Sequence, residues 1–566
     1  MTLAEQPVPD TDQEIAAARR EMASGEAASA VQRLRELIGT AEFNPLHHYW
    51  LAAARGAAGD WAGHHKTLKE AQAFHALRVI QAAGGDLQRF KRDAAYAVSV
   101  ADAFRDLGLM TVASVGYGRG SMSDEAQLGV LLSYGLTLWR QGRLDEAVAA
   151  FAWAHQSCPG SPAQDFLLQA LTDMEGAGRQ HADEAGRWRR KFGAHQPSPA
   201  SLSSDREGRR LRIGYFIPEL NDQSMRSLAP VLDHHDPVGV SVTLYVQRHD
   251  PGRAVRADAV RVIGEMDDAA AEDLVRLDRI DVLVDLWGHG ADGRLGVFVR
   301  KPAPVQVSWL NNLRTTGAPE IDYLIHADAM EVPGAQDSCV ETIWRIGPVP
   351  HPYHPELRPA PSPTPATANG FVTFGYDGSP AGLNDRTLDA WSRILTKVPG
   401  SRLRLRHGDF ADDILQNGVL MRLAARGVDI DQVRFAGAET AAGVAEIDVA
   451  LDASPRSSFI AGCEAVANGV PFLTLAGDDY ICRVGATVVV ALGLDELAAR
   501  SWDDYVDRAV ELASDIGRLD ALRAHIREAF DRSAWCDVDG FTRRLEAAFH
   551  DMLAMRQVGR LAATAA

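Results

Sequence analysis

Ser457 and Ser458 precede the run FIAGCEAVAN from Phe459 to Asn468, and Gly469-Val-Pro471 follows it. This is the pattern of a short helix with hydroxyl caps in front and a glycine stop behind. The unpaired N–H groups and dipole of such a helix favour an anion at its start, although a purely structural helix carries the same caps. Glu464, one turn inside, is a carboxylate that the dipole favours whether or not it meets a ligand. His289, in the stretch Trp287-Gly-His289-Gly, ends an expected strand and could exchange a proton there, while packing alone is the plainer role for a lone histidine. Glu219 and Asp222 follow another expected strand. Either could accept a hydroxyl proton if partly desolvated; a solvated loop acid is the simpler reading.

These residues need elements to position them. Leu211–Ile217, Val240–Val246 and Ile280–Leu286 are apolar runs with helical stretches between them, for example Ala269–Leu277. Phe371–Gly375, Arg402–Leu405, Val433–Ala436, Val449–Leu451 and Pro471–Leu475 repeat the pattern. Strand alternating with helix predicts two doubly wound parallel sheets in tandem, with ligands at the carboxyl ends of the strands. Ahead of them, residues 14–195 are Ala/Leu-rich and helical in period. Within Leu128–Pro159, Tyr134, Gly135, Leu138, Gly142, Ala147, Phe151, Ala154 and Pro159 fall at the offsets of a tetratricopeptide unit. One unit cannot bury its own face, and weaker helix pairs at 14–45 and 46–80, the latter turning at Gly59-Asp60, could supply neighbours. The irregular period leaves a generic all-α domain open.

Pro/Ser-rich stretches at His195–Asp205 and Pro355–Ala368 read as linkers. The expected order is a tail (1–13), a tetratricopeptide-like domain (14–195), a linker (196–210), a first Rossmann-like domain (211–354), a linker (355–369), a second Rossmann-like domain (370–550) and a tail (551–566). The chain has 566 residues, 46% apolar and 24% charged, which suits an ordinary globular protein. Its 58 basic and 76 acidic side chains leave a net charge of −18, which argues against nucleic acid as partner. Met1–Asp12 lacks an export pattern and no long apolar run could span a membrane, so a cytoplasmic location is expected. Cys158, Cys339, Cys463, Cys482 and Cys536 have no paired spacing, which predicts neither a disulfide framework nor a structural zinc site.

Several runs carry a resemblance: Arg279–Leu310, Arg314–Gly317 and Asp322-Tyr323, then Val372–Gly375, Ala390–Leu395, Val398–Leu403, Asp448–Asp452, Cys463–Ala465, Gly469–Asp478 and Arg483–Ala486. In this order the chain resembles the bacterial O-linked N-acetylglucosamine transferases, the tetratricopeptide-bearing GT-B family. The resemblance implies an α/β GT-B fold, two Rossmann-like domains preceded by an all-α tetratricopeptide-like domain. It also implies inverting transfer of a sugar from a nucleotide donor to Ser/Thr hydroxyls, with no metal or other cofactor. The family places the donor phosphates at Ser457, Ser458, Phe459, Ile460, Ala461 and Gly462, and a ribose-contacting carboxylate at Glu464. Arg406 and Arg483 stand at positions that could supply positive charge, and arginine suits bidentate phosphate pairing. Thr315, Thr316 and Gly317 match residues on the acceptor or sugar side, and His289 matches a cleft position, which makes His289, Glu219 and Asp222 the catalytic candidates.

The chain also departs from the family. Gly382 stands where a lysine should neutralise the diphosphate, with Arg386 nearby; Ile460 and Ala461 replace threonines, and Gln223 and Ser227 replace histidines. Losing a positioned charge of this kind typically costs about 2.7–4 kcal/mol of transition-state stabilisation. The reading these departures favour is a protein O-glycosyltransferase using a CMP-linked nonulosonic acid, with flagellin as the acceptor bound through the helical repeats. Three alternatives stay open: a UDP-N-acetylglucosamine protein transferase, a catalytically degenerate substrate adaptor, and a small-molecule glycosyltransferase, which would leave the repeats without an evident role. Self-association through the helical faces is a further expectation.

Overall fold

The computed structural model describes residues 11–41, 43–123, 127–192, 208–220, 226–248, 255–355, 363–437 and 441–565. The chain forms two compact units: one from Met1–Ser157, Ser362–Ala453 and Trp502–Leu519, the other from Cys158–Pro361, Ser454–Ser501 and Asp520–Ala566.

The helical region runs α1 (Thr11–Ala23), α2 (Ala27–Thr40), α3 (Pro45–Ala57), α4 (Trp61–Ala82), α5 (Leu87–Arg92), α6 (Ala94–Asp106), α7 (Met110–Ser121), α8 (Leu128–Arg140), α9 (Leu144–Ser157), α10 (Ala163–Thr172) and α11 (Gly178–Arg190). Asn44, Asp60, Asp86 and Asp93 each accept a backbone N–H at a helix start, which sets the breaks between helices. The Gly59-Asp60 turn falls where expected. Gly135 is required by close packing in the tetratricopeptide unit, since a Cβ there would lie 2.4 Å from the Phe151 ring. The first nine helices belong to the first unit and the α10–α11 hairpin to the second.

In the second unit, β1 (Leu211–Ile217), β2 (Val240–Val246), β3 (Ala259–Val262), β4 (Val282–Asp285), β5 (Val305–Ser308), β6 (Tyr323–His326) and β7 (Thr342–Arg345) form one sheet in the order β3-β2-β1-β4-β5-β6-β7. Every pairing is parallel, so the carboxyl ends share one edge. Leu168 of α10 and Ala185 and Trp188 of α11 pack into the same core as Phe216, Leu283 and Phe298.

In the first unit, β8 (Thr373–Asp377), β9 (Arg402–Arg406), β10 (Val433–Ala436) and β11 (Val449–Leu451) align in the parallel order β10-β9-β8-β11. The helical repeats pack onto this part. Asp412 accepts from Thr111 N at 2.7 Å while also capping the helix Asp413–Ala424, and Arg140 pairs with Asp409. Gly142, at φ +75°, lets its turn approach Pro380, whose carbonyl oxygen would lie 2.4 Å from a Cβ. The short parallel pair β12 (Phe472–Leu475) and β13 (Ala498–Ala499) belongs to the second unit.

The fold is thus α/β with two parallel sheets behind helical repeats, as expected. Strands β3, β5, β6, β7 and β13 add to those read from the sequence. Order also extends past both expected tail boundaries: α1 starts at Thr11, and the last helix runs Val538–Ala565.

Candidate active site

In the second unit the loop after β4 turns on Asp285. This carboxylate is fully buried and accepts from Gly288 N at 2.9 Å, Trp287 N at 3.3 Å and Ser308 Oγ at 3.3 Å. Burial raises its pKa to about 6, against the lowering effect of those donors. The loop carries His289 into a closed setting. Its Nδ1 lies 3.0 Å from Asp165 Oδ1, its Nε2 lies 3.0 Å from the Thr316 carbonyl oxygen, and Trp188 packs edge-on against the ring. With both ring nitrogens facing protein oxygen atoms, neither is turned towards a substrate hydroxyl. His289, a catalytic candidate from the sequence, thus bridges the loops after β4 and β5 and the helical hairpin.

Thr315 and Thr316 are equally engaged. Thr315 Oγ1 donates to Glu341 Oε2 at 2.7 Å, while Thr316 N, at 2.7 Å, and its hydroxyl both donate to Glu341 Oε1. Glu341 is buried, which raises its pKa. Gly317 is required at φ +73° because a Cβ would lie 2.4 Å from the Ala185 backbone. These three residues shape the loop, with the threonine hydroxyls turned inward.

The α10–α11 hairpin reaches further. Gln169 Nε2 donates to the His289 carbonyl at 2.7 Å, Asp173 pairs with Arg456, and Arg189 grips Glu320. Gly178 sits against the Arg314–Asp479 ion pair, whose atoms lie 2.8 Å apart; a Cβ at 178 would be 3.1 Å from both partners. Four loops of the unit are thereby tied to one hairpin.

The helix Phe459–Ala467 forms as predicted. Ser458 occupies its N-cap without a side-chain cap bond, so the hydroxyl does not consume the first-turn N–H groups. Gly462 is dictated by packing, with the Phe472 ring 2.7 Å from where a Cβ would be. Ser457, Ser458, Ile460 and Ala461 are partly exposed on the same stretch. Phe459 packs against His351 and Trp535 at ring separations of 5.4 and 5.6 Å. Burial lowers the His351 pKa to about 4, so that wall is uncharged at neutral pH. Glu464 accepts from the Tyr353 hydroxyl, and Arg226 Nη1 lies 3.8 Å from its Oε1. A helix start, a carboxylate and an arginine thus gather in one place, a combination able to hold the phosphate and hydroxyls of a nucleotide.

Other candidates lie elsewhere. Arg483 spends Nε on the Gly477 carbonyl at 2.8 Å and Nη1 on the Glu331 carbonyl at 2.9 Å. Glu219 is exposed and pairs with Arg248 at 3.3 Å, so it lacks the desolvation a base would need. Asp222 and Gln223 lie outside the described residues. In the first unit, Arg406 ends β9 and pairs with Asp377 at 2.6 Å. Gly382 is buried, and a Cβ there would meet Tyr376 Oη at 2.3 Å, so the site is filled by tyrosine. Arg386 is exposed. Among the described residues no group of three or more His, Cys, Asp or Glu could hold a metal ion, and no helix is long and apolar enough to cross a membrane.

Sequence reasoning did not single out Asp285, Glu341, Asp165, Arg226 or Tyr353 as site residues. Asp285 left a signal, an acid closing the apolar run Val282-Leu-Val-Asp285. The others look like ordinary surface or loop residues until the chain folds.

Two parallel sheets behind helical repeats, with a helix start beside a carboxylate, define the scaffold of the GT-B class of transferases. Residues 194–338 and 381–545 match the profile described as glycosyl transferase family 41, and the chain belongs to that family. Among similar proteins is the probable UDP-N-acetylglucosamine–peptide N-acetylglucosaminyltransferase SPINDLY of Hordeum vulgare, 32% identical over 406 residues, or 69% of this chain and 43% of that protein. Its namesake in Solanum lycopersicum is 33% identical over 64% of this chain and 41% of that protein. The chain thus spans about two fifths of these relatives. A solved structure of a mutant Thermobaculum terrenum O-GlcNAc transferase superimposes with a TM-score of 0.75 at 26% identity, covering 98% of this chain and 99% of that one.

Proposed function

We propose that this protein is an inverting glycosyltransferase that moves a sugar from a nucleotide donor to Ser/Thr hydroxyls of a protein held by its helical repeats. The observation that carries this reading is the grouping of the Phe459–Ala467 helix start, Glu464 and Arg226 in a chain of family 41. In the transfer, the acceptor oxygen bonds to the anomeric carbon as the bond to the phosphate breaks. The nucleotide leaves with the electron pair, and the hydroxyl proton passes to a base. First-turn N–H groups would stabilise the departing phosphate and Glu464 would bind donor hydroxyls, with no metal taking part.

The named relatives speak for UDP-N-acetylglucosamine as the donor, and neither a CMP-linked sugar nor flagellin gains support from them. Incubation of purified protein with candidate acceptor proteins and UDP-, GDP- or CMP-sugars, with and without EDTA, followed by intact-mass measurement, tests the reading. A mass gain with a UDP-sugar that survives EDTA supports it; no gain with any donor overturns it.

A second reading, a substrate adaptor that has lost catalysis, is favoured by Tyr376 filling the Gly382 position and by the engaged ring of His289. Nucleotide-sugar binding separates the two. A rise in melting temperature with millimolar donor speaks for the enzyme, and its absence for the adaptor.

A further inference from the structure

The helical repeats of the first unit enclose a groove of about 510 Å³ between α4, α5, α7 and α8. Its floor includes Phe90 and Tyr134, and its rim carries Lys69, Lys91, Arg119 and Arg143, with no carboxylate among the described lining residues. Lys69 and Arg143 share one acid, Glu146, at 3.1 and 2.7 Å. Among the described residues no acid pairs with Lys91 or Arg119; both are exposed, and Arg119 donates to the Lys91 backbone carbonyl. Met122, also in the lining, is 76% exposed. Such a cluster is out of keeping with a chain of net charge −18.

We infer that this groove binds an acidic segment of the acceptor protein, a reading that rests on the transferase function proposed above. Lys91 and Arg119, with Lys69 and Arg143 beside them sharing Glu146, stand around an aromatic floor and suit a peptide that alternates Asp/Glu with apolar side chains. The cations meet the carboxylates, and the floor and Met122 take the apolar groups. A long polyanion such as nucleic acid would instead feel the negative charge of the rest of the molecule. The volume lies in the range of specific binding sites.

Fluorescence anisotropy with the full chain tests this. The probes are a labelled Glu/Asp-rich peptide containing apolar residues, its Gln/Asn isostere, and single-stranded DNA of equal charge. The acidic peptide should bind in a salt-sensitive way, at least tenfold tighter than either control. Lys91→Glu with Arg119→Glu should weaken it by about tenfold, as expected for the loss of two exposed ion pairs. Both side chains are exposed, and an unchanged melting curve confirms that the double variant folds. Equal binding of the isostere, of DNA, or by the double variant overturns the inference. The donor-induced melting shift is read on the same samples. Its absence beside intact, acid-selective peptide binding would overturn the transferase reading and leave the groove assignment standing.

Discussion

Asp165 Oδ1 and His289 Nδ1 lie 3.0 Å apart, joining the last helical hairpin of the repeats to the loop that leaves β4. His289 is buried and its other nitrogen meets the Thr316 carbonyl, so the pair holds two strand-end loops in register. Asp165→Ala should leave a buried imidazole nitrogen without its partner and cost about 1–3 kcal/mol. Urea unfolding measures the loss. A variant as stable as the parent, with unchanged transfer, would show that the clamp is dispensable.

Gly382 invites the substitution that restores the family's lysine, and the structure predicts that it fails. With Tyr376 Oη 2.3 Å from the new Cβ, Gly382→Lys should destabilise the fold by about 1–3 kcal/mol without raising the transfer rate. Adding Tyr376→Phe removes the nearest atom and should recover part of the stability. Thermal melts of the single and double variants decide it; a stable, faster single variant would refute the packing argument.

Asp285 gives a pH signature. Its pKa rises from 3.8 to about 6 on folding, so the native state binds this proton more tightly than the unfolded chain. Its contribution to stability is therefore full below about pH 4, falls as pH rises towards 6 and is flat above. Acids held low in spite of burial, Asp385 by Arg422 and Arg426 and Asp409 by His407 and Arg140, act in the opposite sense at low pH, so the comparison must be with Asp285→Asn. The parent should lose stability relative to this variant across that window, as followed by urea midpoints. Parallel profiles would mean that the carboxyl is not shifted.

Glu464 is held by the Tyr353 hydroxyl, and this predicts how two substitutions differ. Glu464→Ala should weaken nucleotide-sugar binding by roughly ten- to a hundredfold, the worth of a hydrogen bond to a charged group. Tyr353→Phe leaves the carboxylate in place with an acceptor site freed, and should bind the donor at least as well. Calorimetric titration compares them, and equal affinities for parent and Glu464→Ala would remove Glu464 from the donor site.

Much of the scaffold was legible because buried parallel strands are written as uninterrupted apolar runs. β1, β2, β10 and β11 begin and end where those runs do. β5 and β6 escaped because Gln306 and His326 break the apolar pattern, although both are buried, Gln306 donating to the Phe298 and Glu320 carbonyls at 2.9 Å. β3 and β7 are edge strands with exposed positions, which blurs their pattern. The Phe459–Ala467 helix was legible from its caps and glycine stop. The engagements of His289, Thr315 and Thr316 were not, since their partners Asp165 and Glu341 are far away in the chain and become neighbours only through folding.

The hairpin of α10 and α11 also decides where the protein can be cut. By composition it is the end of the repeat array, and the Pro/Ser-rich stretch behind it looks like the natural seam. Yet its acids and glycines are shared property: Asp165, Asp173 and Gly178 serve loops that begin more than a hundred residues later. A fragment starting after residue 195 would keep the first sheet and lose the brace for its loops. In any exchange of repeats between family members, these two helices must travel with the unit that carries the first sheet.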